Sequence, residues 1–488
     1  MNHQSHLNSN EKHSNQWGTL HSERMEAPRY IYFLYLSLLL LLSQVGFAQN
    51  PDIKRTWHWY FGYNSGLDFS TGVAMPDTTG HLYTFEGCAS ISDTLGNLLF
   101  YTDGDTVWDK FHFLMTNGTG LLGCGNYGST AQATVIIPYP GNTNLFYIIT
   151  NDCGENLCVN GLNYSIVDMT LNGGNGDVTN KNVLLFAPGM EALATVKHCN
   201  NSFYWLVSHQ YGNNNFMVFL IDSSGISGPN IYSIGTSYNY YYGWFRFSSD
   251  GNKLATAFYN ILPYNELFDF DTETGIISNK IQLNGYGGEY CPEFSYDNSK
   301  LYYTTSGNIL YQYDISSNDE TTINNTKIVI ANTPDNSMFR GLAKGPDGKI
   351  YISPQLRDSM STIDSSNNYG LACNLNIFNS YLINPTVDIP NFPSNFFLNS
   401  TPTVTCTTGL QNLNNTSINI SVSNAIVNIK GNRLRLIYLF NIMGEVMLIE
   451  KINGEPSAFL DLTHLPQSVY VLKITDSWQT IIKKIILN

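Results

Sequence analysis

Six positions along the middle of this chain carry the groups best suited to chemistry: Glu86, Gln132, Glu191, Gly243, Tyr290 (beside Glu289) and Arg340. Each stands seven residues ahead of a turn Asp or its equivalent, so they are equivalent places in a repeat. A rim built of carboxylates, a guanidinium and an aromatic ring suits gripping a sugar or a cationic peptide. The plainer alternative is a set of ordinary polar residues facing water. A second cluster is Tyr238 to Tyr242 followed by Trp244, in which Tyr240, Tyr241, Tyr242 and Trp244 offer flat amphipathic rings for stacking against a ligand. Most other rings of the chain read as packing.

Other constellations lead to structure rather than to a reaction. Asp269 with Asp271, and Asp103 with Asp105, are spaced to share one face of a strand, yet both pairs fall where strands end and read as turn residues. No G-x-S-x-G motif, sialidase-type turn, calcium loop or phosphate-cradling glycine loop occurs. His198 and His209 flank an apolar strand and read as packing or surface residues. With no C-x-x-C or paired His at ligand spacing, no zinc site and no cofactor are expected.

The elements that position these groups are strands. Six segments, including Phe247–Ala255, Phe294–Tyr303 and Ala343–Ile352, each pair two strands across a tight turn. Their turn residues Gly96, Gly141, Asn201, Gly251, Asn298 and Gly348 are separated by 45, 60, 50, 47 and 50 residues. A third strand follows, ending on an Asp as in Tyr164–Asp168 or Leu310–Asp314, and then a polar fourth. A period near 50 with four strands per unit is the signature of propeller blades, which must close a ring because each leaves its faces bare. The expected fold is all-β: a β-propeller of six to seven blades, seven favoured, closed by pairing the region Trp57–Gly62 with the last strands near Leu382 to Phe397. On this fold the first strand of each blade lines the central channel, and the six positions above open it at one mouth.

Composition sets the surroundings. Tyr30 to Leu42 is an apolar run of h-region length, and Gly46-Phe47-Ala48 supplies a small-x-small cleavage site. Translation is expected to begin at Met25, and the mature chain near Gln49. Residues 49–408 hold 14 Lys and Arg against 30 Asp and Glu, so a phosphate backbone would be repelled and nucleic acid is not an expected partner. No later stretch is long and apolar enough for a spanning helix, so the chain is not expected to be an integral membrane protein. All eight cysteines lie in the mature part, where disulfides persist, and a local Cys153–Cys158 bridge is the candidate pairing.

The last eighty or so residues alternate apolar and polar through Ile426–Ile429, Leu434–Phe440, Phe459–Leu462 and Val469–Ile474, with turns at Gly431, Gly444, Asn453-Gly454 and Pro466. That is a small β-sandwich. The stretches Leu434–Val446, Leu460–Ile474 and Ile481–Leu487 resemble the C-terminal sorting domain of the type IX secretion system of Gram-negative bacteria. Gln467-Ser468 departs from the glycine usual in that family before the aromatic strand. The segments Trp59–Gly62, Gly66–Phe69, Glu86–Asp93, Phe100–Gly104 and Asn117–Leu122 are in turn similar to a family of exported bacterial propeller proteins. The resemblance implies a partner in the secretion machinery, export to the medium or the outer-membrane surface, and removal of the tail after export. The expected organisation is an N-terminal extension and signal over 1–48, a propeller over 49–398, a Thr- and Pro-rich linker over 399–415 that carries the cut, and an immunoglobulin-like sorting domain over 416–488. The reading favoured is a non-enzymatic binder of an extracellular glycan or protein; the alternative is a polysaccharide hydrolase or lyase using Glu86 with Glu191 at the channel mouth.

Overall fold

The computed structural model describes residues 50–398 apart from 125–128, 260–264, 307, 334–338, 356 and 387. It also describes Cys406, and residues 419–487 apart from 424, 431–433, 442–445, 453 and 476–479. The leader region and the expected cut in the linker lie outside the described residues, Cys406 excepted.

Six four-stranded antiparallel blades succeed one another from Ala89 to Thr386. The first two are linked at their rims by one parallel pairing, Asp177 with Thr116. Their innermost strands are Ala89–Ser92, Thr134–Pro138, Leu193–Lys197, Gly243–Phe247, Glu289–Phe294 and Phe339–Lys344, nearly all buried. The local reason is turn chemistry. All six expected turn residues have left-handed backbone, φ running from 59° at Asn201 to 97° at Gly96, a conformation that glycine and asparagine tolerate at least cost. The Asp that ends the third strand caps the next turn: Asp168 accepts from Thr170, Asp222 from Ser224, Asp271 from Glu273 and Asp314 from Ser316, all through backbone N–H groups. Asp103 likewise accepts from the N–H groups of Asp105 and Thr106.

A three-stranded sheet, His58–Phe61, Ser65–Asp68 and Met75–Pro76, sits between the sixth blade and the first. It is the seventh blade. The following residues 388–397 are buried and carry no strand, Pro390 and Pro393 having no N–H to donate to one. Ring closure here uses side chains as much as backbone. The Asn391 N–H donates to Cys88 O at 2.9 Å, Asn50 Nδ2 to Asn395 O at 3.1 Å and Ser65 Oγ to Asn384 O at 2.7 Å. Trp59, fully buried, packs between Tyr351 and Phe392 with ring centroids 5.6 and 5.9 Å away.

Cysteine pairing differs from the expected local bridge. Cys153 is bonded to Cys124, and Cys199 to Cys406; Cys158 remains a buried thiol. The four-residue spacer between Cys153 and Cys158 coils into a 3-10 turn, Gly154–Asn156, in which the Cys158 N–H donates to Cys153 O and the Cys158 sulfur turns toward Asp152 O. That turn leaves the Cys153 sulfur facing the neighbouring connection.

Residues 419–487 form a β-sandwich, three strands (Asn419–Ser423, Ile426–Lys430, Ser457–Asp461) against four (Val446–Lys451, Leu436–Asn441, Ser468–Thr475, Thr480–Leu487). Its core is the alternating set expected of half-buried strands, including Val427, Ile429, Ile437, Leu439, Leu460, Leu472 and Ile474. No helix among the described residues is long and apolar enough to cross a membrane.

Candidate functional site at the channel mouth

The start of each inner strand delivers a side chain to the same place. Glu86, Ala131, Glu191, Gly243 with Trp244, Tyr290 and Arg340 come one from each of the six blades, and with Ser129, Tyr242 and Tyr259 they line a single cavity of about 190 Å³. Seven-residue spacing ahead of each turn makes this convergence, since equivalent positions of stacked blades must meet at one mouth.

Five of the six expected rim positions line this cavity: Glu86, Glu191, Tyr290 and Arg340 with their side chains, and Gly243 as the backbone member. Gln132 does not. It is fully buried, accepting from the N–H groups of Leu193 (3.0 Å) and Phe245 (2.8 Å) and donating to Phe245 O (3.0 Å), so it ties three inner strands together. Glu289 is likewise turned away, its carboxylate accepting from the Tyr286 and Gly287 N–H groups and from the Tyr311 hydroxyl. Among the tyrosine cluster, Tyr242 and Trp244 line the cavity, Tyr240 is exposed, and Tyr241 stacks on Tyr211 at 4.1 Å. Tyr238 is buried against Phe258 and donates to Glu266.

Electrostatics at the mouth are dominated by burial. The Tyr290 hydroxyl donates to Glu86 Oε1 at 2.9 Å and lies 3.3 Å from Asp388 Oδ2, so one phenol stands between two carboxyls. Burial pushes the Glu86 carboxyl above its usual range, while the Tyr290 hydrogen bond and the Arg340 charge pull it back. Asp388 is driven well above, by burial first and by Glu86 second. Glu191 is also raised well above by burial, yet its oxygens accept from the Gly154 N–H at 2.7 Å and the Ala131 N–H at 3.1 Å. The Arg340 guanidinium lies 4.8 Å over the Tyr290 ring and donates to Gln355 at 3.1 Å.

Several members of this site carry no sequence signal of their own. Asp388 belongs to the irregular segment of the seventh blade, and Tyr259 follows a second strand. The Cys124–Cys153 bridge matters here because it fixes the turn that presents the Gly154 N–H to Glu191. Gly154 also packs on Tyr242 so closely that a Cβ there would fall 2.5 Å from the ring. Trp244 is 2% exposed, and its indole N–H has no acceptor among the described residues. Two groupings of His, Cys and carboxylate, His198–Cys199–Cys406 and Cys124–Cys153–Glu155, each include a disulfide, so their sulfurs are not free thiolates.

Against known proteins, a search of curated sequences finds no match. Solved structures similar to the chain include selenomethionine-substituted virginiamycin B lyase from Staphylococcus aureus, at 12% identity and TM-score 0.33, covering 72% of this chain and 94% of that one. Another is KlHsv2 with loop 6CD replaced by a Gly-Ser linker, at 11% identity and TM-score 0.31, covering 63% and 89%. Residues 412–488 match the family model described as secretion system C-terminal sorting domain. The sandwich that ends this chain is a sorting domain of that kind, and it implies export through the type IX secretion system.

Proposed function

We propose that the propeller is the cargo and that it acts outside the cell as a binding protein, holding a glycan at the channel mouth. The observation that carries this reading is the convergence of six blades on one cavity with two buried glutamates, an arginine and four aromatic rings. Rings supply flat apolar faces, and the carboxylates and guanidinium supply the few directional partners that fix a polar ligand. Glu191 has each oxygen engaged by a main-chain N–H, which suits an anchoring carboxylate better than a proton shuttle. On this reading the tail serves transport alone.

A glycan-array screen of the exported protein tests it. Retention on a defined set of glycans, reduced at least tenfold by Tyr242→Ala, is the expected result. Absence of any retained glycan, or retention indifferent to Tyr242, overturns it.

A further inference from the structure

The proposed glycan site has a more particular chemistry. Its buried groups are unbalanced: Glu86 and Glu191 line the cavity with Asp388 close behind Tyr290, against the one guanidinium of Arg340. Among the described residues no cationic side chain forms an ion pair with Glu86 or Glu191. Carboxylates beside aromatic faces (Tyr242, Trp244, Tyr259, Tyr290) make the environment in which an organic ammonium is best held, by charge from one side and by ring quadrupoles from the other. The Trp244 indole N–H adds a different demand. It is a buried donor with no acceptor among the described residues, on a residue that lines the cavity, and an occupant that brings an oxygen within its reach would satisfy it.

From this juxtaposition we propose that the channel mouth binds an amino sugar carrying a free ammonium group, as in a de-N-acetylated hexosamine chain. The inference rests on the glycan-binding reading above and names the ligand class for that same site. The ammonium sits between Glu86 and Glu191, a ring face of the sugar lies on Tyr242, and a sugar hydroxyl or ring oxygen accepts from Trp244. A lysine side chain meets the first requirement only, since its tetramethylene stem offers no oxygen. Burial disfavours the ionised form of both carboxyls and a cationic occupant favours it, so binding of the ammonium is coupled to proton release.

Calorimetric titration of the full exported protein separates the possibilities, with three probes: fully de-N-acetylated glucosamine tetramer, its N-acetylated counterpart, and tetralysine. The expected result is binding of the free amine at least tenfold tighter than either alternative. Proton release should show in buffers of different ionisation heat. Glu86→Gln should lose tenfold or more for the amine and little for the acetylated sugar. Trp244→Phe, which keeps an aromatic ring but removes the indole N–H together with its five-membered ring, should lose severalfold for the amine when measured at a temperature where its unfolding curve shows the variant fully folded. Equal or tighter binding of the acetylated tetramer overturns the ammonium assignment while leaving glycan binding intact. Preference for tetralysine overturns the sugar, and no binding of any probe overturns the inference, whatever the array retains.

Discussion

Cys406 is disulfide-bonded to Cys199, 207 positions earlier, in the turn between the first two strands of the third blade. The bond therefore fixes to the propeller a point of the chain that lies only six residues before the sorting domain begins at 412. Its consequence is topological. A cut between 399 and 405 leaves the tail covalently attached through sulfur, whereas a cut between 407 and 411 frees it. With engineered protease sites in these two stretches, the first cleaved protein should run as one species until reductant is added, and the second should separate at once. Separation of the first without reductant would remove the tether. Cys406→Ser should also lower stability, by about 2–4 kcal/mol in denaturant unfolding.

Gln132 is a rivet of the ring rather than a ligand group. Its amide makes three buried hydrogen bonds, to strands of the third and fourth blades. Gln132→Leu strips partners from two buried N–H groups and a carbonyl, which costs about 1–3 kcal/mol for each group left unsatisfied. We expect a lowered urea midpoint for this variant, with glycan affinity unchanged under native conditions. Loss of affinity without loss of stability would place Gln132 in the site after all.

The six turn positions and the sorting domain were legible because each rests on local chemistry repeated in sequence: Gly or Asn at a left-handed turn, Asp at the end of a third strand, period-2 alternation; the seventh blade, lacking that repeat, left the count at six to seven. The mouth residues Glu86, Glu191, Tyr290 and Arg340 followed from the same spacing. Register alone, however, does not say which way a side chain at a strand's start will turn. Gln132 and Glu289 occupy rim positions but find backbone and hydroxyl partners inside the wall. Cysteine pairing depended on distances across blades, so Cys124 and Cys406 were invisible to local spacing. Asp388 lies in a proline-broken segment without blade periodicity.

His209 makes the fold acid-sensitive. It is fully buried among Phe216, Tyr238, Phe245 and Phe258, its Nδ1 against Gln210 O at 2.8 Å and its Nε2 without a partner among the described residues. Burial lowers its pKa to about 4, from 6.5. The unfolded chain thus binds a proton that the folded chain refuses between those values, and stability is lost as pH falls from 6.5 toward 4. The loss attributable to this group is on the order of 3 kcal/mol. His209→Leu should remove that much of the acid slope, read as the difference between the two proteins' urea midpoints at pH 7 and pH 4.5. Parallel curves would show that His209 is not the sensor. The raised carboxyls at the mouth oppose this trend, which is why the difference and not the absolute slope is the measurement.

Lys344 carries the same sign of pH dependence as His209, in an alkaline window. Its ammonium is buried, donating to Ser249 Oγ at 2.6 Å and lying 3.8 Å from Glu293, which already holds Arg246 at 3.2 Å. Burial brings its pKa down to about 8 against the attraction of Glu293. Below pH 8 both states hold the proton and the fold bears the full cost of a buried cation. Between about 8 and 10.5 only the unfolded chain stays protonated, so this group's penalty fades as pH rises. Lys344→Met, which leaves Glu293 its Arg246 partner, should therefore be more stable than the parent at pH 7, by up to about 3 kcal/mol, with the gain shrinking toward pH 10. Chemical unfolding at pH 7, 9 and 10 decides it. A variant less stable at pH 7 would mean that the Lys344–Glu293–Arg246 cluster repays its desolvation and holds the inner strands of three blades together.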